Sequence, residues 1–503
     1  MNAGRGIKNI IYGLLSQVVT MAISLVVPRL VLVNLGSEVN GLTHSISSVF
    51  VYLSLLEAGV GKATNQALYK PLSSGDTHAI NRIMAATNTY YRKTGVIYAA
   101  VLVLFALGYV FLVETTIAPW VVFSVIILSG ASSVVSYFVQ GKYRVLMESE
   151  GRGYVLTNIS SISSIVVAVC KIGLLLAGCG IVAIQGMYFF FALVQMGIIV
   201  VCVRRWYTWL NLRVEPDFEA ISQKNYVLLH QITGMIFNNT DTILLTIFTN
   251  LKTVSVYSMY STFYTMARTV INTFSFSYSY ALGQIFHADK QKFARLHDVY
   301  EVYNMCLTFA LMCILHLMIL PFMKIYTAGI TDVNYIEPMV VLLLTAINLL
   351  SSGRASSGLV IDFNQHFEQT KGRAILETAI NLTVSVIGVW FLGIYGVLLG
   401  TVAALLYRTN DMIIYANRLM NRNPWITYKR WLVNLAVFVA VSAAGSRLLP
   451  EMGSLFQVIL WGVVLCATVV PVFVIADSLV EWKTAIYFWS LIRSALKKKG
   501  AKE

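Results

Sequence analysis

The sequence predicts an all-α polytopic membrane protein of about fourteen transmembrane helices, built as two six-helix lobes with two further helices after them. Three observations predict it. The 503 residues are 57% hydrophobic and only 12% charged, with mean hydropathy +0.71, whereas soluble domains carry about 25% charged residues. Apolar runs of spanning length recur from one end of the chain to the other. The connections between them alternate between Lys/Arg-rich and basic-poor.

The spans fall at roughly 9–33, 39–63, 94–114, 117–140, 154–177, 181–203, 226–250, 254–284, 299–325, 336–361, 374–393, 395–417, 431–449 and 454–476. The first follows Arg5 and Lys8, runs on to Val27, and is too long for a signal-peptide core, so it reads as a retained span. The basic connections are 64–93, 141–153, 204–225, 285–298, 362–373, 418–430 and the tail from Lys483. They place both termini in the cytoplasm. They also account for most of the excess of 37 Lys+Arg over 23 Asp+Glu, a net +14, without nucleic acid. No connection is long enough for a soluble domain. The segments near 70–93 and 204–225 read as short amphipathic surface helices. The 206–210 stretch (WYTWL) and the basic, aromatic tail suit membrane-lipid headgroups. The six Cys lie mostly within spans with no CxxC pair. His44, His230 and His316 have no second ligand at metal spacing, so no metal or other cofactor is expected.

The stretch 255–283 is distinctive. Arg268 is its one charged residue, and Ser258, Ser261, Thr265, Arg268, Asn272, Ser275 and Ser279 recur at spacings of 3 and 4. That spacing puts them on one helix face, roughly 32 Å long at 1.5 Å per residue. Such a face must line a water-filled cavity or pack on polar partners.

A repeat is visible as well. One 216-residue shift carries Lys8-Asn9 onto Lys224-Asn225 and Asn34-Leu35 onto Asn250-Leu251. The same shift superposes spans 1–6 on 7–12. The expected domains are 1–216, 217–425 and, for the last two spans and the tail, 426–503. Two lobes facing one cavity is the architecture expected of an alternating-access transporter.

Four segments carry a family resemblance: PRLVLVNLGSEVNGL (28–42), LLEAGVGKATNQALYKPLSSGD (55–76), IFNNTDTILL (236–245) and GIYGVLLGT (393–401). They resemble the polysaccharide-transporter branch, the Wzx-type flippases, of the multidrug/oligosaccharidyl-lipid/polysaccharide (MOP) superfamily. The resemblance covers nearly the whole chain. It implies translocation of undecaprenyl-pyrophosphate-linked oligosaccharide units across a bacterial cytoplasmic membrane, for capsule, O-antigen or exopolysaccharide assembly. The expected partners are that lipid-linked oligosaccharide, membrane lipids and the polysaccharide assembly machinery. The chain is expected to act as a monomer and not as an enzyme.

Such a cargo needs cations for its pyrophosphate, polar groups for its sugars and a path for its lipid tail. Charges at membrane depth are the candidates. Arg268 and Arg354 lead as head-group ligands, since guanidinium binds phosphate in bidentate fashion; Arg29 and Lys171 follow. Ser258, Ser261, Thr265, Asn272, Asn40 and His44 are expected to face sugar. Asp241, with Asn238 and Asn239, suits a site for a coupling proton or sodium ion, which the superfamily resemblance implies for many members. Asp241 could equally be a counter-ion for Arg268. Glu57 and Lys62 flank glycines and could form a gating hinge or a local pair. Arg408 and Asp411 read as a simple i,i+3 pair.

A multidrug exporter or a lipid II flippase of the same superfamily is the nearest rival. An exporter of cationic drugs should have more acids than bases in its cavity, the reverse of what is counted here. A membrane glycosyltransferase or polymerase would need longer outer loops or a DxD, P-loop or GxGxxG motif, and none is present.

Overall fold

The computed structural model describes residues 3–54, 60–221, 239–286 and 289–500, all-helical with no strand among them. Eleven helices there are long and apolar enough to cross a membrane. The difference from fourteen has three sources. Spans 1 and 2 are two helices that meet at the non-helical Gly36 with no loop between them, and they are labelled together as α1 (Ala3–Leu53). Span 7 lies largely outside the described residues. Span 8 is a 36-residue helix, Leu251–Phe286, whose polar stripe keeps it below a spanning hydropathy.

The chain divides into two compact units, Met1–Val256 with Ile330–Val333, and Tyr257–Gly329 with Asn334–Glu503. The first holds α1, α2 (Val60–Ser74), α3 (Thr77–Leu112), α4 (Pro119–Val139), α5 (Gly141–Ser149), α6 (Gly153–Leu176) and α7 (Ile181–Trp206). α1 turns at Gly36, where φ is +84°, a left-handed value that a side chain opposes. The helix restarts at Ser37, and Asp332 caps it. Ser37 donates its backbone N–H to Oδ2 at 3.0 Å and its hydroxyl to Oδ1 at 2.8 Å. One turn on, a Cβ at Gly41 would sit 1.7 Å from the carbonyl oxygen of Leu251, so only glycine allows this approach. Around it Asn40 donates to Ser255 at 2.8 Å and Thr246 donates to Ser45 at 2.9 Å.

Two connections differ from expectation. The basic segment near 70–93 is not a separate surface helix: α2 ends in a turn at Gly75, and α3, capped by Asp76, runs unbroken into its span. Arg82, Arg92 and Lys93 therefore ride on the spanning helix. The described part of the 204–225 segment, to residue 221, is not an amphipathic helix either. α7 ends at Trp206, and only a 3-10 turn, Glu219–Ile221, follows before residue 222. Local contacts take the place of helical hydrogen bonds: Arg152 lies 4.9 Å from the Trp206 ring, Tyr207 bonds Glu150, and Asn81 accepts from the Asn211 backbone at 3.0 Å.

The second unit takes most of the helix Leu251–Phe286 (α8), then α9 (Lys290–Tyr326), α10 (Pro338–Gly353), α11 (Ala355–Phe363), α12 (Phe367–Leu392), α13 (Ile394–Leu419), α14 (Trp425–Leu448), α15 (Leu455–Val480) and α16 (Trp482–Gly500). Here the six remaining expected spans appear close to their expected places. Tyr264 joins α8 to α10, donating to the Val341 carbonyl at 3.0 Å beside Thr345. α14 and the turn before it pack on α9 through a buried ion cluster, and Arg430 also meets Glu481, just past α15, at 3.3 Å. Glu301, 1% exposed, takes Arg430, Arg422 at 2.5 Å and the Thr427 hydroxyl at 2.7 Å. Asp298 takes the same two arginines, at 2.6 and 3.0 Å.

The Gly36 turn and its cap make a stability prediction. Gly36→Ala should cost about 1–2 kcal/mol and Asp332→Ala about 1 kcal/mol, read as lower thermal unfolding temperatures in detergent. Adding Ser37→Ala to Asp332→Ala should lower stability little further, because both remove one interaction.

Candidate substrate cavity

A cavity of about 460 Å³ lies within the first unit, between α1, α4, α6 and α7. Ligand sites typically span roughly 300–1,000 Å³. Helical spacing builds it. Thr43, His44 and Ser47 come from one side of α1 after its kink, Gln185 and Tyr188 lie three apart on α7, and Lys171 comes from α6. The Thr43 and Ser47 hydroxyls donate to backbone carbonyls one turn back, at 2.8 and 2.7 Å. Their oxygens remain as acceptors.

Lys171 is the charge in this cavity, and its ammonium lies 5.4 Å from the Tyr188 ring centroid. No carboxylate is among the described residues lining the space. A cation held against a ring face and surrounded by hydroxyl, amide and imidazole groups is poised for an anion.

The second unit contains a different arrangement. Arg354 sits where the tenth span breaks between α10 and α11. Its guanidinium bonds Glu377 at 2.8 Å, and Arg408 reaches the other oxygen of Glu377 at 3.4 Å. Arg408 also bonds Asp411 at 2.6 Å, the i,i+3 pair read from sequence, and Arg373 takes the second oxygen of Asp411 at 2.6 Å. Three guanidinium groups thus share two carboxylates. Arg268, on α8, feels the charge of Arg354 and has no hydrogen bond or ion pair among the described residues.

The remaining expected residues divide. Asn40 is 2% exposed and bonded to Ser255, so it ties two segments together and does not face a cavity. Ser258 is likewise buried at 5%. The burial of Asn40 goes with the close approach at neighbouring Gly41. Thr265 and Asn272 are exposed; Ser261 is half-buried, with its hydroxyl unpartnered among the described residues. Ser275 donates to Asn304 at 2.8 Å, which makes that turn of the stripe a helix-packing contact. Arg29 is half-buried. Asp241 is 6% exposed, next to Thr240, whose hydroxyl meets Tyr52 at 3.0 Å; Asn239 is half-buried. Glu57, Asn238 and His230 lie outside the described residues, as does the Lys62 side chain.

Sequence reasoning missed Glu377 and Arg373, although their i,i+4 spacing at the start of span 11 was a signal. It also missed Tyr188 as the partner of Lys171, for which no local signal exists. His297, Asp298 and Glu301 lie close enough to hold a metal ion. However, Arg422 and Arg430 already take both carboxylates, and a dication there would face two guanidinium groups.

No protein-family model matches the sequence, and no curated protein matches it. Several solved structures do share its fold. The lipid II flippase MurJ, in an inward closed conformation, superposes with a TM-score of 0.67 at 13% identity, over 96% of this chain and 99% of that one. An inward-facing multidrug resistance MATE family transporter of the MOP superfamily gives 0.65 at 13% identity, over 80% and 94%. A MOP superfamily transporter from Pyrococcus furiosus gives 0.54 at 13% identity, over 80% and 96%. The chain is therefore a polytopic all-helical membrane protein with the fold of MOP superfamily transporters.

The charge groups make opposite stability predictions. Glu377→Gln leaves Arg354 and Arg408 underpaired and should cost about 3–5 kcal/mol. Lys171→Met removes a partly desolvated cation that has no counter-ion among the described residues. It should leave the unfolding temperature in detergent unchanged or higher.

Proposed function

We propose that this protein is a MOP superfamily flippase that moves undecaprenyl-pyrophosphate-linked oligosaccharide units across the cytoplasmic membrane by alternating access. The observation that carries this reading is the first-unit cavity, where Lys171 stands among neutral polar groups with no described carboxylate in the lining. That polarity suits a phosphate and opposes a cationic drug. The MurJ likeness, over nearly the full length of both chains, supports a lipid-linked cargo. The Pyrococcus furiosus transporter is itself described as having a binding pocket of reverse polarity that suggests a different function.

In this mechanism Lys171 replaces phosphate hydration in the first unit, where His44 and Gln185 hydrogen-bond the polar head, and Arg268 is a separate anion-binding cation of the second unit. The lipid tail stays in the bilayer while access alternates. Turnover needs a ligand that binds the two states unequally. A proton or sodium ion at Asp241 and Asn239 would supply that difference. Release of the cargo outside serves surface polysaccharide synthesis, and no chemical bond changes.

The test is transport in proteoliposomes. Undecaprenyl-pyrophosphate-linked oligosaccharide is supplied on one side, and its arrival on the other is followed with an impermeant glycosidase. Wild-type protein should translocate it. Lys171→Ala should lower the rate about tenfold, equivalent to ~1.4 kcal/mol, Arg268→Ala should abolish it, and Arg268→Lys should be partly tolerated. No movement of any lipid-linked sugar, with saturable efflux of a cationic dye instead, would sink the proposal in favour of a drug exporter. Movement of lipid II alone would reassign the cargo.

A further inference from the structure

A second pocket, of about 330 Å³, adjoins the Lys171 cavity and shares Ser132 and Ala192 with it. Its chemistry is different. Ser54, Ser132, Ser136, Tyr137, Gln140 and Gln195 supply its polar lining, and none of its described lining residues is charged.

Four of the donors in this pocket are engaged already. The Ser54 hydroxyl donates to the Val51 carbonyl at 2.6 Å and the Ser132 hydroxyl to Ser129 at 2.9 Å. The amide nitrogen of Gln140 donates to Ser136 at 3.0 Å, and that of Gln195 to Ser160 at 3.2 Å. Acceptors are left over. The Ser54 and Ser132 oxygens keep lone pairs, and Gln140, only 6% exposed, has its Oε1 buried with no hydrogen-bond partner among the described residues. An unsatisfied buried acceptor is costly and calls for a donor. Tyr137 and Met196, 5% and 4% exposed, add apolar surface of the kind that packs on a ring.

We infer that this pocket receives the sugar joined to the cargo's phosphate, and that it selects an uncharged, donor-bearing sugar over a uronic acid. A neutral hexose or acetamido sugar brings O–H and N–H donors to the vacant acceptors. A carboxylate finds no cation among the described lining residues to offset the loss of its hydration. The inference rests on the flippase reading, with Lys171 taking the phosphate next door.

The experiment measures binding to the purified full-length chain in detergent micelles. Three probes are used: undecaprenyl pyrophosphate alone, with a single N-acetylglucosamine, and with a single glucuronic acid. The neutral conjugate should bind about tenfold more tightly than the acidic one, or better. Gln140→Leu, and independently Gln195→Leu, should bring that ratio toward one. Equal binding of the two conjugates, or tighter binding of glucuronic acid, overturns the inference, as does a ratio unchanged in both variants. If undecaprenyl pyrophosphate binds and the sugar makes no difference, the flippase reading stands and the selectivity falls. If none of the three binds, both fall.

Discussion

A charge at hydrocarbon depth must be paired, or must face water or a ligand; lipid offers it nothing. That constraint sorts the ionic groups of this chain. Glu301 is buried and takes two arginines, which hold α14 and the turn before it against α9. Glu377 and Asp411 are shared by Arg354, Arg373 and Arg408. Lys171 belongs to the other class. It is held by a ring and not by an acid, and it opens on a polar cavity. Paired charges fix helices, whereas a cation that has given up water without gaining a carboxylate stores affinity for an anion.

Backbone groups obey the same rule. The chain turns at Gly36 inside what hydropathy reads as a gap between two spans, and the freed N–H at Ser37 finds Asp332. The acid comes from nearly 300 residues away in sequence, from a short segment that packs with the first unit. The junction of these two spans therefore takes a cap from an acid remote in sequence.

Much of the fold was legible in the sequence, because span length and apolar composition are set by the bilayer itself. Span 8 showed its polar stripe through spacing alone. The exact role of each stripe residue was not legible, since burial of Ser258 and pairing of Ser275 depend on helices distant in the chain. The same limit applies to Asn40. Its spacing matches His44, one turn on, yet it bonds Ser255 while His44 lines the cavity. The surface segments were misread for a local reason. Basic, aromatic composition fits an interfacial helix, a continuous helix such as α3 and an ordered loop such as 207–221 equally well. Contacts such as Arg152 on Trp206 decide among them.

The Lys171 cavity and its neutral neighbour can be weighed as one device. A single cation attracts any anion of suitable size and so discriminates poorly. Discrimination requires groups that a wrong ligand leaves unpaired, and those penalties are largest where donors and acceptors are buried. The second pocket has that character, since Gln140 keeps a buried acceptor with no partner among the described residues. In the proposed flippase, charge supplies attraction for a pyrophosphate common to many lipid-linked sugars, and the uncharged pocket supplies the choice among them. A transporter built this way separates affinity from selectivity along α4, where Ser132 belongs to both pockets.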